Sequence, residues 1–208
     1  MEELTLKNLI SYHEKVKSSS NYGEELKLIK RVFNDETFKK TTNIDKIALK
    51  ISLIDTTNST NLSRYKSKIS LYELAKHIKD IKNFDARVAQ GDLTLVKEIA
   101  NTKKINLFSF ASKYCCYHNT LAYNRDDYFI YDSLIKEHFP DYNHNITSNM
   151  IENYRKNMEY EEYHKCIDSF LIANGITSDI PERRRMFDHF IWYQFRGNQE
   201  LEEDITND

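Results

Sequence analysis

The sequence predicts an all-α protein. Four glycines and two prolines punctuate 208 residues, and Leu, Ile, Lys, Glu and Tyr dominate, so long helices joined by polar turns are expected. Apolar residues also recur at helical spacing in segment after segment. The length fits one domain that buries a real core.

Element by element, Leu4 to Val16 and Leu26 to Phe33 read as two amphipathic helices, with Gly23 as the break between them. IDKIALKISLI, residues 44–54, is apolar on nearly all sides and predicts a buried helix; DTTNSTN then reads as a polar loop of capping and turn residues. ISLYELAKHIKDI resumes a helical period. Gly91-Asp92 is a stop and an N-cap before LTLVKEIA, and NTKKIN is a basic connector into a helix over about 105–119. On that helix Leu107, Phe108, Ala111, Tyr114, Cys115 and His118 form one apolar stripe, while Lys113 shares another face with Ser109 and Cys116. TLAYNRDD is a loop, Asp132 stands at the start of a helix to about His138, and Pro140 ends it. Residues 148–174 carry one or two tyrosine-rich helices stopped by Asn174-Gly175. Ser178 or Asp179, then Pro181 and Glu182, start a last helix through PERRRMFDHFIWYQF.

Composition excludes several classes. There is no apolar run of about eighteen residues, and the N-terminus MEELTLKNLI is acidic and amphipathic, so a soluble, cytoplasmic protein without a membrane partner is expected. Three cysteines, two adjacent at Cys115 and Cys116 and one at Cys166, give neither a disulfide framework nor a zinc spacing, and read as reduced, partly buried thiols. No metal or cofactor is expected. The net charge of −2 hides an asymmetry: residues 1–113 hold 21 of the 30 Lys/Arg and 14 of the 32 Asp/Glu, so that half is +7 and the rest −9. Such a split suits a basic face for nucleic acid, and equally solvated helices followed by an acidic tail at Glu202, Glu203, Asp204 and Asp208.

One stretch stands apart. In FASKYCCYHNTLAYNRDDYFIYDSLI, residues 110–135, Lys113 sits among aromatic and sulfur side chains, and Asp132 lies nineteen residues later inside the apolar run FIYDSLI. Taken singly, Lys113 reads as a solvated lysine and Asp132, followed by SLIKEHF, as an N-cap. Taken together they place a lysine on one helix, a loop, and an aspartate opening the next.

This arrangement resembles the helix-hairpin-helix DNA glycosylase superfamily, in particular the bifunctional 8-oxoguanine glycosylases and the related archaeal GO glycosylases. FIYDSLI stands where that family carries its aspartate motif, the Lys113–Asp132 separation is similar, and IALKISLIDTTNSTNL resembles the early helix and loop that face a flipped nucleotide. The likeness covers about residues 44–138. It implies a two-lobed helical bundle, with that core and the N- and C-terminal helices packing as a second lobe of one domain spanning 1–208. Three family features are missing: the hairpin glycines, with INLFSFASK in their place; the proline of the aspartate motif; and a cysteine set for an iron–sulfur cluster. DNA binding must then use other groups.

The resemblance implies a glycosylase with associated AP-lyase activity. Lys113 would attack as a neutral amine to form a Schiff base, and Asp132 would stabilise positive charge developing on the sugar. Phe110, Tyr114 and Tyr117 would supply apolar walls, which favour the neutral amine. The DNA base would leave the stack and lie in a pocket, for which Phe129, Tyr131, Trp192, Tyr193 and Phe195 are stacking candidates. His118 and Asn119 are candidates to read a base edge or to position a loop, and Thr57 and Asn58 face the nucleotide. Other readings stay open. His118 on an apolar stripe also suits a core histidine, and Arg183 to Arg185 suit either a solvated first turn or a phosphate clamp. A non-catalytic helical module binding DNA or a protein is the second class. An interaction protein using the acidic C-terminal half and a tyrosine-rich 154–163 surface is the third.

Overall fold

The computed structural model describes residues 2–20 and 22–197. The fold is all-α, with one two-stranded antiparallel ladder of two residues per strand. Helix α1 (Leu6–Ser18) starts where the Thr5 hydroxyl accepts from the Asn8 amide at 3.2 Å. After a short link, α2 (Tyr22–Asn34) begins. Gly23 lies in the first turn of α2, not in the break: a Cβ there would come 2.6 Å from the Lys17 carbonyl oxygen, so only glycine admits this approach of α1 and α2. A single turn, α3 (Glu36–Lys39), leads to α4 (Ile44–Thr57), capped by the Asn43 side chain and buried along Ile47, Ala48, Ile51 and Ile54.

A Ser70/Glu73 capping box opens α5 (Leu71–Asp80), which packs along α4. Short helices α6 (Phe84–Ala89) and α7 (Thr94–Ala100) follow, then β1 (Asn101–Thr102), β2 (Ile105–Asn106) and α8 (Phe108–Tyr117). Beyond a wide turn at 118–122 and an extended run to Asp132 come α9 (Ser133–Tyr142), α10 (Ser148–Asn157), α11 (Tyr160–Ala173) and α12 (Arg183–Trp192). Helix α12 lies along α1, and α7 along α8. One apolar core runs through the chain from Leu9 and Phe33 by way of α4, α7 and α8 to Ile167, Leu171, Phe187 and Phe190.

The chain departs from its sequence reading at particular places. NTKKIN is a hairpin, not a plain connector: Asn101 pairs with Asn106 and Thr102 with Ile105, leaving Lys103 and Lys104 as a two-residue turn at φ 46° and 59°. Helix α4 runs on through Asp55–Thr57, because the Thr57 hydroxyl back-bonds to the Leu53 carbonyl instead of breaking the helix. Pro140 lies inside α9, in its last turn, and the helix continues to Tyr142. The last helix starts at Arg183, since Asp179 bonds Thr177 and Glu182 takes a left-handed φ of 53°. The acidic tail falls outside the described residues. Tyr160 and Tyr163 are buried, their hydroxyls donating to the Phe129 and Ile130 carbonyls at 2.8 and 2.6 Å, so the 154–163 segment is not a tyrosine surface. Arg183 and Arg185 are buried as well, paired with Asp168 and Asp188, which leaves neither free as a phosphate clamp.

Among the described residues no helix is long and apolar enough to cross a membrane.

Candidate functional site

Helix α8 builds the site. It is apolar on almost every side and buried along its length from Phe110 to Tyr117, which carries Lys113 into the interior at 7 % exposure. A buried ammonium or amine needs a partner, and Lys113 Nζ donates to the backbone oxygen of Asn58, the C-cap of α4, at 3.0 Å. One turn further on, the Tyr117 hydroxyl donates to Asn58 Oδ1 at 2.8 Å.

Asp132 reaches the same place from the extended run. That run is tied down along its length: Tyr128 Oη donates to the Asp92 carbonyl at 2.9 Å, and Tyr160 and Tyr163 hold the next two carbonyls. The Tyr131 amide donates to Ser112 Oγ at 3.0 Å. Ser112 and Tyr131 are the chain neighbours of Lys113 and Asp132, so this bond fixes the helix carrying the lysine against the strand carrying the aspartate. Asp132 Oδ1 caps α9, accepting from the Ile135 amide at 2.9 Å.

Lys113 and Asp132 line one cavity of about 790 Å³, together with Thr57, Asn58, Tyr131 and Trp192. The Trp192 ring lies stacked on Tyr22, with centroids 4.8 Å apart and planes at 21°, and both face the cavity. Asp188 also lines it, bonded to Arg185 at 2.8 Å. Burial pushes the Asp188 carboxyl above its ordinary range, with the Arg185 guanidinium opposing. Arg185 in turn lies 4.9 Å over the Tyr117 ring. The space suits a flat, polar-edged group, with aromatic faces, a carboxyl and an amine on its walls.

Five sequence-derived candidates lie elsewhere. His118 is fully buried, edge-on to Phe33 and Phe84 and stacked on Tyr123, and burial holds its imidazole down at about 4, so it is a neutral core histidine. Asn119 positions a loop: Nδ2 donates to the Val88 carbonyl and to Asp127, and Oδ1 accepts from the Asp127 amide at 3.0 Å. Phe129 packs in the core against His164 and Phe187. Tyr193 packs tilted against Tyr12 with centroids 4.6 Å apart, Phe195 stacks on His138 at 3.6 Å, and neither lines the cavity. Ile130, Tyr131 and Asp132 of the extended run line the cavity, and Phe129, one residue earlier, packs behind them in the core. The sequence reading missed Asp188 and Tyr22. Asp188 had a signal, an acidic residue three after Arg185 and four before Trp192 on one helix face.

A family model, HI_0787_N, described as an N-terminal domain, matches residues 8–127, more than half of the chain and inclusive of Lys113. An uncharacterised protein of Haemophilus influenzae is 33% identical over 107 residues, a stretch that takes in 50% of this chain and 45% of that protein. The chain thus spans about half the length of the relative it matches. No solved structure matches.

Proposed function

The chain belongs to the HI_0787_N N-terminal domain family, and we propose that it is a DNA glycosylase with associated AP-lyase activity, removing a damaged or modified base through a lysine Schiff base. The observation that carries the reading is the meeting of Lys113 and Asp132, nineteen residues apart in sequence, on the walls of one aromatic-lined cavity.

The flipped nucleotide enters the cavity, where Tyr131, Trp192 and Tyr22 offer ring faces. Asp132 keeps one oxygen on the Ile135 amide, and its other oxygen makes no hydrogen bond among the described residues. That oxygen supplies negative charge near C1′ as the N-glycosidic bond breaks. The departing base takes the bonding pair and a proton, and the Lys113 nitrogen bonds C1′ and gives up its proton by way of Asp132. Ring opening moves the remaining proton of that nitrogen to O4′ and leaves an imine between Lys113 and C1′; a C2′ proton is then lost as the C3′–O bond breaks and the 3′ phosphate departs with the bonding pair. No metal or cofactor is needed. The buried, free thiols of Cys115 and Cys116 fit work on DNA in the cytoplasm.

A second reading has its own support, since Asp132 is an N-cap and Lys113 already has a backbone partner. Both residues are then structural, and the chain is a non-catalytic helical module for DNA or a protein. Borohydride trapping separates the two. Duplexes carrying 8-oxoguanine, uracil, alkylated or hydroxymethylated bases are incubated with the protein and reduced. A covalent band that Lys113→Gln abolishes supports the enzyme. Salt-sensitive binding without any band favours the module.

A further inference from the structure

We infer that Asn58 is the positioning residue for Lys113 and that Tyr117 locks Asn58 in place, an inference that rests on the Lys113 chemistry proposed above. Lys113 and Tyr117 stand four residues apart on one face of α8. Both donate to a single residue on another helix, Lys113 to the Asn58 main-chain oxygen at 3.0 Å and Tyr117 to its Oδ1 at 2.8 Å.

Asn58 has every polar group engaged. Its amide closes α4 on the Ile54 carbonyl at 2.9 Å, and its Nδ2 donates to Thr57 Oγ1 at 2.8 Å, which itself donates to Leu53 at 2.8 Å. The peptide carrying the acceptor oxygen is therefore held from both the helix side and the side-chain side. Tyr117 is buried, with the Arg185 guanidinium 4.9 Å over its ring and a side-chain hydrogen bond with Tyr22.

A lysine side chain has four rotatable bonds and loses much freedom when it is aimed. An amine that donates one N–H to a carbonyl directs its lone pair away from that oxygen. Lys113 lines the cavity together with the wall formed by residues 56–61, so a lone pair turned away from the Asn58 oxygen is turned off that wall. Asn58 thereby sets the attack geometry before any nucleotide arrives, and small errors in such geometry cost large factors in rate. Without Tyr117 the Asn58 side chain keeps only its Thr57 bond, and the main-chain oxygen that aims the lysine loses the hold that Tyr117 exerts through that side chain.

The test uses the full chain, a duplex with an abasic site, and borohydride, comparing wild type, Tyr117→Phe, Asn58→Ala and the double variant. Tyr117→Phe keeps the ring on which Arg185 packs. Each single variant is expected to slow trapping about tenfold at saturating DNA while leaving the half-saturating concentration unchanged. The double variant is expected to be no slower than either single, because both remove the same bond. A Tyr117→Phe rate equal to wild type overturns the inference, and so do losses that multiply in the double. If wild type traps no DNA, the proposed activity fails, and the lock is read on the protein alone. Reductive alkylation by a small aldehyde is then followed by mass spectrometry, with exposed Lys104 as the internal standard. Severalfold slower labelling of Lys113 in Tyr117→Phe supports the lock, and an unchanged ratio overturns it.

Discussion

Two buried lysines in this protein have opposite surroundings. Lys113 on α8 has a carbonyl partner, a carboxylate in the same cavity and room for a ligand. Lys50 on α4, at 1 % exposure, lies with its Nζ 4.9 Å from the centre of the Phe33 ring, close enough to Asp85 to feel its charge. Burial holds the Lys50 amine down at about 8, with Asp85 opposing the shift. By charge burial alone Lys50 is the more unusual residue, and a search for perturbed groups would choose it first. What sets Lys113 apart is the cavity, together with a second functional group that the chain has brought to it. Burial measures what a charge costs, whereas a site needs space and a partner.

Exchanging the chemistry of the two lysines is the sharpest way to break this contrast. Lys113→Gln is expected to abolish borohydride trapping, a loss of about 10³-fold or more, while Lys50→Met traps at the wild-type rate. Asp132→Asn should follow, slowing trapping by about 10²-fold, in the range of a lost electrostatic stabiliser. Asparagine is as good an N-cap as aspartate, so the melting temperature should hold. A rate that survives with the cap would return Asp132 to a purely structural role.

The Lys50 side of the contrast is a matter of stability. Below pH 8 the folded and unfolded chains both hold the Lys50 proton, and the fold carries the whole cost of the buried charge. Between about 8 and the ordinary 10.5 the unfolded chain keeps a proton that the folded one has released, so stability rises with pH. Lys50→Met should therefore be more stable at pH 7, by roughly 1–3 kcal/mol, and should lose that rise. Urea titrations at pH 7 and 9.5 read both effects.

The smallest effect expected concerns His118, which adjoins the same core cluster, its Nε2 lying 3.5 Å from Asp85 Oδ1. Its imidazole is held at about 4 against an ordinary 6.5. As pH falls through that window the unfolded chain takes up a proton that the fold refuses, and stability is lost. His118→Phe should reduce the loss between pH 6.5 and 4 by about 1 kcal/mol or more. It should not remove the loss, because His164 and His189 are depressed by burial in the same way. Thermal melts at pH 7, 5.5 and 4.5 follow it.

Helix spacing alone foretold most of the fold, since α1, α2, α4, α5, α10 and α11 each bury one periodic stripe against the core. The 101–106 hairpin was illegible because two-residue turns with both φ positive ordinarily carry Asn-Gly, and here they carry two lysines. Pro140 misled because α9 runs on to Tyr142 although a proline there lacks the N–H that would bond the carbonyl of residue 136. In the site, Lys113, Asp132, Thr57, Asn58, Tyr131 and Trp192 were singled out through the family resemblance, and they line one cavity. His118, Asn119, Phe129 and Tyr193 were not separable from them, since which side of a buried helix or run faces an opening depends on packing between distant segments. Tyr22 is the converse case. Nothing local marks it, and only the meeting of the first residue of α2 with α12 brings it onto Trp192 and edge-on to His189.

The proposed lyase chemistry requires Lys113, and not another amine, as the nucleophile. The direct measurement is to trap the wild-type protein on a duplex bearing its preferred base, digest both the DNA and the protein, and map the residual sugar adduct by mass spectrometry. The expected result is a single reduced adduct on the peptide carrying Lys113. An adduct on Lys50, on the Lys103–Lys104 turn or spread over surface lysines would contradict it.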